Sequence, residues 1–150
     1  MRAGDIAPDF TLPDQHGVAR SLSEFLIQGP VVLFFYPAAM TTGCTKESCH
    51  FRDLAGEFAA VGAQRVGISM DEVARQATFA SKNDLDYSLL ADVDGIVAKD
   101  FGVKRAVNLL KVKRATFVIG TDRRILGVIN SEVSMSAHAD GALEILRSLG

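Results

Sequence analysis

The chain has 150 residues, of which 48% are hydrophobic and 23% charged, and its formal net charge is −2. These values suit one globular domain with a full core, and they exclude a disordered chain and a basic nucleic-acid-binding surface. No run approaches the ~20 apolar residues that span a bilayer, and Asp5, Pro8 and Asp9 stand where a signal peptide needs an apolar centre. The protein is therefore expected in the cytoplasm, away from membranes. Two close cysteines in that compartment point to catalysis or a metal rather than to a structural disulfide.

Residues 3–12 alternate weakly through Ile6, Phe10 and Leu12, but Pro8 and Pro13 limit them to an edge strand or an extended arm. Asp14-Gln15-His16-Gly17 has turn chemistry, and Val18 to Leu22 can return as the second strand of a small hairpin. Ser23 can cap a short helix to Ile27, stopped by Gly29-Pro30. Val31 to Tyr36 is apolar on both faces, the pattern of a central strand. A loop, Pro37 to Gly43, leads to a helix from about Cys44, whose stripe is Phe51, Leu54, Ala55, Phe58 and Val61 and whose stop is Gly62. Arg65 to Met70 reads as a second buried strand. Asp71 or Glu72 opens a helix to about Lys82, with Val73, Ala77 and Ala80 facing inward. Ser88 to Ala91 is a short strand, Asp92 to Gly95 a turn, and Ile96 to Phe101 a short helix. Five basic residues, Lys104, Arg105, Lys111, Lys113 and Arg114, suggest an exposed loop over 103–114. Ala115 to Gly120 and Ile125 to Asn130 form a late hairpin, and Ala139 to Leu149 is a closing amphipathic helix.

No repeat or linker interrupts this order, so 1–150 reads as one domain. Strands alternating with helices predict an α/β fold with a mainly parallel sheet covered on both faces. The late hairpin adds an antiparallel edge. The arrangement suits a thioredoxin-like fold with an N-terminal β-hairpin extension and a mixed central sheet flanked by helices.

Both cysteines fall in the 31–53 stretch. Cys44 stands at a helix start, where free N–H groups and a partial positive charge favour a thiolate. Thr41 or Thr42 can serve as the N-cap, and Gly43 allows close backbone approach. Cys49 is five residues on, a rise of ~7.5 Å and a rotation of ~140° along a helix. A disulfide needs Cα atoms within ~6.8 Å and converging side chains. The two cysteines can bond only if the first turns of the helix unwind. Two other readings stand beside a reactive pair: inert buried thiols, or a metal site of Cys44, Cys49 and His50 completed by His16 or His138. A Cys-x-x-Cys motif is absent.

Pro37, Thr41 and Cys44 reproduce the spacing Pro-x-x-x-Thr-x-x-Cys, and the segment resembles the active site of the peroxiredoxins. The longer match, FFYP followed by T-x-G-C-T-K-E-x-C-x-F-R-D, is similar to the bacterioferritin comigratory protein, or peroxiredoxin Q, subfamily. GDIAPDFTLPDQHG, LLADVDGIVAKDFGV and RATFVIG extend the resemblance over most of the chain. It implies a thiol peroxidase acting on hydrogen peroxide or organic hydroperoxides, without metal, flavin or haem. Cys44 then matches the peroxidatic cysteine, Thr41 the hydroxyl that bonds thiolate and peroxide, and Pro37 the residue shielding the sulfur. Arg114 matches the arginine that favours the thiolate and the developing alkoxide. Cys49 matches the resolving cysteine of an intramolecular Cys44–Cys49 disulfide, which a thioredoxin-like reductant reopens. The subfamily is often monomeric, with a dimer as the alternative. One departure is Thr42, where the subfamily usually carries proline.

A thiol redox sensor would use the same chemistry at Cys44, and a catalytically silent thioredoxin-fold binding module would lack the complete Pro37, Thr41, Cys44 and Arg114 set. Other residues have ordinary readings. Asp92-x-Asp94-Gly95 resembles the start of a calcium loop but lacks its ligand spacing, so a turn with a helix cap is expected. Glu47 either orients Arg114 or faces solvent. His50 is expected to be solvated, and His16 and His138 to lie at the surface. Arg52 and Asp53 read as a surface pair, and the basic loop either docks an acidic reductant or is simply solvated.

Overall fold

The computed structural model describes residues 1–105 and 111–149. In chain order the elements are β1 (Thr11–Pro13), β2 (Ala19–Ser21), α1 (Leu22–Leu26), β3 (Val31–Phe35), α2 (Thr42–Asp53), α3 (Ala55–Ala60) and β4 (Gln64–Ser69). There follow α4 (Val73–Lys82), β5 (Ser88–Ala91), α5 (Ile96–Asp100), β6 (Ala115–Ile119), β7 (Ile125–Asn130) and α6 (Ser136–Leu149). No helix among the described residues is long and apolar enough to cross a membrane.

Five strands make one mixed sheet in the order β5-β4-β3-β6-β7. β3, β4 and β5 run parallel, while β6 runs antiparallel to β3 and β7 antiparallel to β6. β1 and β2 form a separate hairpin with Thr11 opposite Ser21. This is the expected thioredoxin-like sheet with its N-terminal extension.

β3 divides the core because alternate side chains of a strand point to opposite faces. Val31, Leu33 and Phe35 pack with Leu22, Phe25 and Leu26 of α1 and with Val97 and Ala98 of α5. Val32, Phe34 and Tyr36 pack on the other face with Cys44, Phe51, Phe58 and Phe79 and with Ala139, Ala142 and Leu143 of α6. A strand buried on both faces has no polar side, which explains the uninterrupted apolar run.

Several local expectations change. Ser21, not Ser23, caps α1, its hydroxyl accepting from the Glu24 N–H at 3.1 Å. The single helix expected from Cys44 to Val61 is two helices, broken at Leu54, where the backbone turns to φ −96° and ψ 20°. Phe51 and Phe58 are fully buried all the same. Gly62 ends the second helix at φ 68°, a conformation that suits a residue without Cβ. In α4 the inward face is Gln76, Phe79 and Ala80, with Val73 and Ala77 only half-buried. Gln76 is buried because it accepts from the Tyr36 hydroxyl at 2.5 Å and donates to Leu90 O at 2.9 Å. Asp92 is a helix cap, as expected: its two carboxylate oxygens accept from the Val97 and Ala98 N–H groups of α5.

The centre of the expected basic loop, 106–110, lies outside the described residues. Its flanks are paired, Arg105 N–H donating to Lys111 O and Lys113 N–H to Val103 O. Lys104, Lys111 and Lys113 are exposed, but Arg114 is buried.

The Phe51 ring stacks on Phe34 with centroids 4.1 Å apart and on Phe58 at 5.7 Å, and this joins α2 to the sheet. Phe51→Ala is expected to lower stability by about 3–5 kcal/mol, the cost of emptying a fully packed aromatic site. Urea denaturation measures it, and a loss below about 1 kcal/mol refutes this anchoring role.

Candidate active site

The sheet register brings the two ends of the site together. β3 ends where Pro37, which has no N–H, cannot extend the ladder, and Pro37 itself is buried. Phe35 lies opposite Ala115 in the antiparallel β3–β6 pair. Arg114, one residue earlier, therefore arrives beside the end of β3. It shares the face of Thr116, two residues on, and so points toward α2 and α6.

α2 starts two residues before Cys44, with Thr41 as N-cap in extended conformation (φ −86°, ψ 157°). Cys44 is thus in the first turn, among backbone N–H groups that have no helical partner. Its side chain is fully buried. Arg114 Nη2 donates to Cys44 Sγ at 3.2 Å, and Nη1 donates to Glu47 Oε1 at 2.6 Å. Glu47, one turn after Cys44, is 0% exposed, so of its two readings the structure selects the one that orients Arg114. Gly43 makes this approach feasible. A Cβ there would stand 3.3 Å from Arg114 Nη2 and 3.3 Å from Met135 Sδ.

The Thr41 hydroxyl donates to Ala38 O at 2.8 Å and makes no cap bond to the helix. A hydroxyl has one hydrogen and two lone pairs. With the hydrogen given to Ala38, Thr41 Oγ1 can only accept from a third group, such as the O–H of a hydroperoxide. Cys49 is half-buried on another face of the helix, its thiol 3.8 Å from Asn83 Oδ1. Both thiols are free.

Sequence reasoning missed one member of this cluster. His138, expected at the surface, is 0% exposed. Its Nε2 is 2.8 Å from Ser131 O, and its Nδ1 is 2.8 Å from Thr116 Oγ1 and 3.6 Å from Glu47 Oε2. A carbonyl only accepts, so Nε2 carries the hydrogen, and in the neutral ring Nδ1 accepts from Thr116. The helix begins at Ser136 rather than Ala139, and this sets His138 on the buried stripe with Ala142 and Leu146. The i, i+4 spacing to Ala142 was the available signal. His16 is exposed, and His50 is half-buried and pairs with Asp140 at 2.8 Å. Arg52 pairs with Asp53 at 2.9 Å and also donates to Asn83 O. Among the described residues no three His, Cys, Asp or Glu side chains are grouped to hold a metal.

Burial sets the electrostatics. It pushes the Glu47 carboxyl up to about 7, against the pull of the Arg114 cation. Burial also holds His138 below its ordinary range, and the nearby Arg114 cation adds to this. For Arg114 burial acts against the charge, but Glu47 and the Cys44 sulfur outweigh it, and its pKa is raised. The site sets a guanidinium against a buried sulfur at a helix start, the kind of surroundings in which reactive cysteines are found.

The chain is similar to known proteins over most of its length. Residues 3–128 match the AhpC/TSA family. The chain is 62% identical to peroxidoxin BcpB from Mycobacterium tuberculosis, whose crystal structure superposes with a TM-score of 0.97 over 100% of this chain and 99% of that one. It is 40% identical over 146 residues to the chloroplastic peroxiredoxin Q of Oryza sativa subsp. japonica, covering 97% of this chain and 67% of that protein. A peroxiredoxin Q structure from Xanthomonas campestris is 28% identical with a TM-score of 0.85, over 93% of this chain and 90% of that one. The chain belongs to the AhpC/TSA family of peroxiredoxins, in its bacterioferritin comigratory protein/peroxiredoxin Q branch. That membership supports a thiol peroxidase.

The Glu47 pKa has a consequence for stability. The folded chain holds the Glu47 proton up to about pH 7, while the unfolded chain releases it near the ordinary value of 4.5. Between these values the unfolded state binds fewer protons, so the contribution of this group to stability falls as pH rises. His138 acts in the opposite sense, its contribution being lost as pH falls below about 6.5. The difference between wild type and Glu47→Gln isolates the carboxyl. Urea denaturation is expected to show wild type losing ground to the variant from about pH 5 to pH 7. A difference that is flat or reversed over that window refutes the assignment.

Proposed function

We propose that the chain is a cytoplasmic peroxidase that reduces hydrogen peroxide and organic hydroperoxides through Cys44, with Cys49 as the resolving cysteine and a thioredoxin-like dithiol as reductant. The observation that carries this reading is the 3.2 Å contact of Arg114 Nη2 with Cys44 Sγ, backed by the buried Glu47. The bacterioferritin comigratory protein of Xanthomonas campestris, 27% identical to this chain, has alkyl peroxide reduction activity. This supports organic hydroperoxides as substrates here.

The Cys44 thiolate attacks the hydroxyl oxygen of the hydroperoxide. An S–O bond forms, the O–O bond breaks, and the alkoxide leaves and takes a proton from solvent. The hydrogen on the attacked oxygen stays there as the sulfenic acid proton. Before the attack it can be held by Thr41 Oγ1, which is free to accept. Arg114 favours both the thiolate at the start and the negative leaving oxygen at the end. Pro37, buried at the strand end, shields the sulfur side of the loop. The Cys49 thiol then attacks the sulfenic sulfur and releases water, which gives the Cys44–Cys49 disulfide. The reductant returns two electrons and two protons by thiol–disulfide exchange.

Both cysteines lie within the continuous helix α2, so the resolving step requires its first turns to unwind. Residues farther along are held. Tyr87 OH donates to Ser48 O at 2.7 Å, and Arg65 Nη1 donates to Phe51 O at 3.0 Å. The turn before Ser48 is therefore the part that has to open.

Two measurements test the reading. Mass spectrometry after one equivalent of peroxide is expected to show loss of two hydrogens in wild type and a trappable sulfenic acid at Cys44 in Cys49→Ser. An exclusively intermolecular product in wild type would rule out Cys49 as the resolving residue. Consumption that stops after one equivalent, with thioredoxin and excess peroxide present, would favour a redox sensor instead. The second measurement concerns Thr42, the exposed first residue of α2. Thr41 before it already has the extended backbone that proline requires of its predecessor, and proline fits a first helical position. Thr42→Pro is expected to fold and to slow disulfide formation in stopped flow by stiffening the helix start. An unchanged rate rules the idea out.

A further inference from the structure

We propose that Asp71 and Arg75 are positioning residues of the active site, which grip the backbone of Ala39 and thereby aim the Thr41 hydroxyl. The inference rests on the reading of Cys44 as a peroxidatic cysteine. Asp71 follows β4, the strand parallel to β3, and so stands at the same edge of the sheet as the loop that carries Thr41. Its Oδ2 accepts from the Ala39 N–H at 2.7 Å and from the Ser69 hydroxyl at 2.6 Å. Its Oδ1 lies 3.1 Å from Arg75 Nε, four residues on. Arg75 Nη2 reaches back to Ala39 O at 3.3 Å. One ion pair thus holds both polar backbone groups of a single loop residue.

Ala39 is the residue through which this grip matters. On one side, Ala38 O receives the hydrogen of the Thr41 hydroxyl. On the other, Met40 is held at φ 66°, in the left-handed region that a side-chain-bearing residue occupies only under strain. Such a conformation persists only where its neighbours are fixed. Among the described residues, 37–40 make no backbone-to-backbone hydrogen bond, so the side-chain clamp supplies the fixing. Without it Met40 can relax, the Ala38 carbonyl turns, and Thr41 is no longer an acceptor aimed at the peroxide. Arg114 reaches Cys44 from β6, on a route that does not pass through the clamp. Loss of the clamp therefore slows the reaction with peroxide and leaves the thiolate alone.

Stopped-flow rate constants with hydrogen peroxide and the pH profile of Cys44 alkylation by iodoacetamide, both on the full chain, separate these effects. Asp71→Ala is expected to lower the peroxide rate constant by about tenfold to a hundredfold, as misplacement of a positioned group does, with an unchanged alkylation profile. Arg75 is half exposed, so Arg75→Ala folds regardless and is expected to cost about threefold. Asp71→Asn keeps an acceptor for the Ala39 N–H and is expected to retain more activity than Asp71→Ala. In a Thr41→Val background neither alanine variant costs more than about twofold further, because residues acting through one group are not additive. Full peroxide rates in both alanine variants overturn the clamp. An alkylation profile that moves with the rate, or full additivity with Thr41→Val, does so equally. A wild type that consumes no peroxide overturns the functional reading itself, whereas an active wild type with indifferent clamp variants overturns the clamp alone.

Discussion

The site depends on one guanidinium. Arg114 is 7% exposed and divides its two terminal nitrogens between Cys44 Sγ and Glu47 Oε1. A buried cation is costly unless it is paired, and here both partners come from adjacent turns of one helix. The pairing locks α2 against the start of β6. The same burial keeps the cation beside the sulfur, 3.2 Å away. Glu47 accepts from the second terminal nitrogen, so that the nitrogen is not left unpartnered, and its own burial draws its carboxyl up to about 7. Structure and the proposed reactivity share a single set of contacts.

The fold makes that contact by register. With β6 antiparallel to β3 and Phe35 opposite Ala115, the residue before β6 must fall beside the end of β3. β7 pairs Asn130 with Ala115, so Ser131 and Glu132 reach the same edge. There Glu132 accepts from the Arg114 N–H and from Arg105, and Ser131 O accepts from His138. The strand ends thus fix the backbone of the arginine while α2 fixes its head. β4 brings Asp71 to this edge as well.

In the proposed cycle α2 has two conflicting duties. Its first turn has to be helical to hold Cys44 and Glu47 on Arg114, yet five residues along a helix keep the thiols too far apart for a disulfide. The contacts of α2 are divided to match. From Ser48 onward Tyr87, Arg65 and the Phe34–Phe51 stack hold it. Before Ser48 the contacts are those of the active site itself. Opening the first turns then breaks the Arg114 contacts and leaves the Phe51 anchor in place.

The sequence by itself determined the order of elements, the two-faced burial of β3 and the chemistry of the 37–49 segment. These are matters of local period and spacing, and apolar runs and helix starts carry them directly. It also named Arg114, through a resemblance and its place before a strand. It did not decide between the two readings of Glu47, took His138 for a surface residue, and read Asp71 only as a helix opener. A buried polar side chain looks like an exposed one in sequence, because only its partners justify its burial, and those partners are distant in the chain. Glu47 is 67 residues from Arg114, His138 is 22 from Thr116, and Asp71 is 32 from Ala39. Only the tertiary register, which sets β3 between β4 and β6, decided that these groups meet.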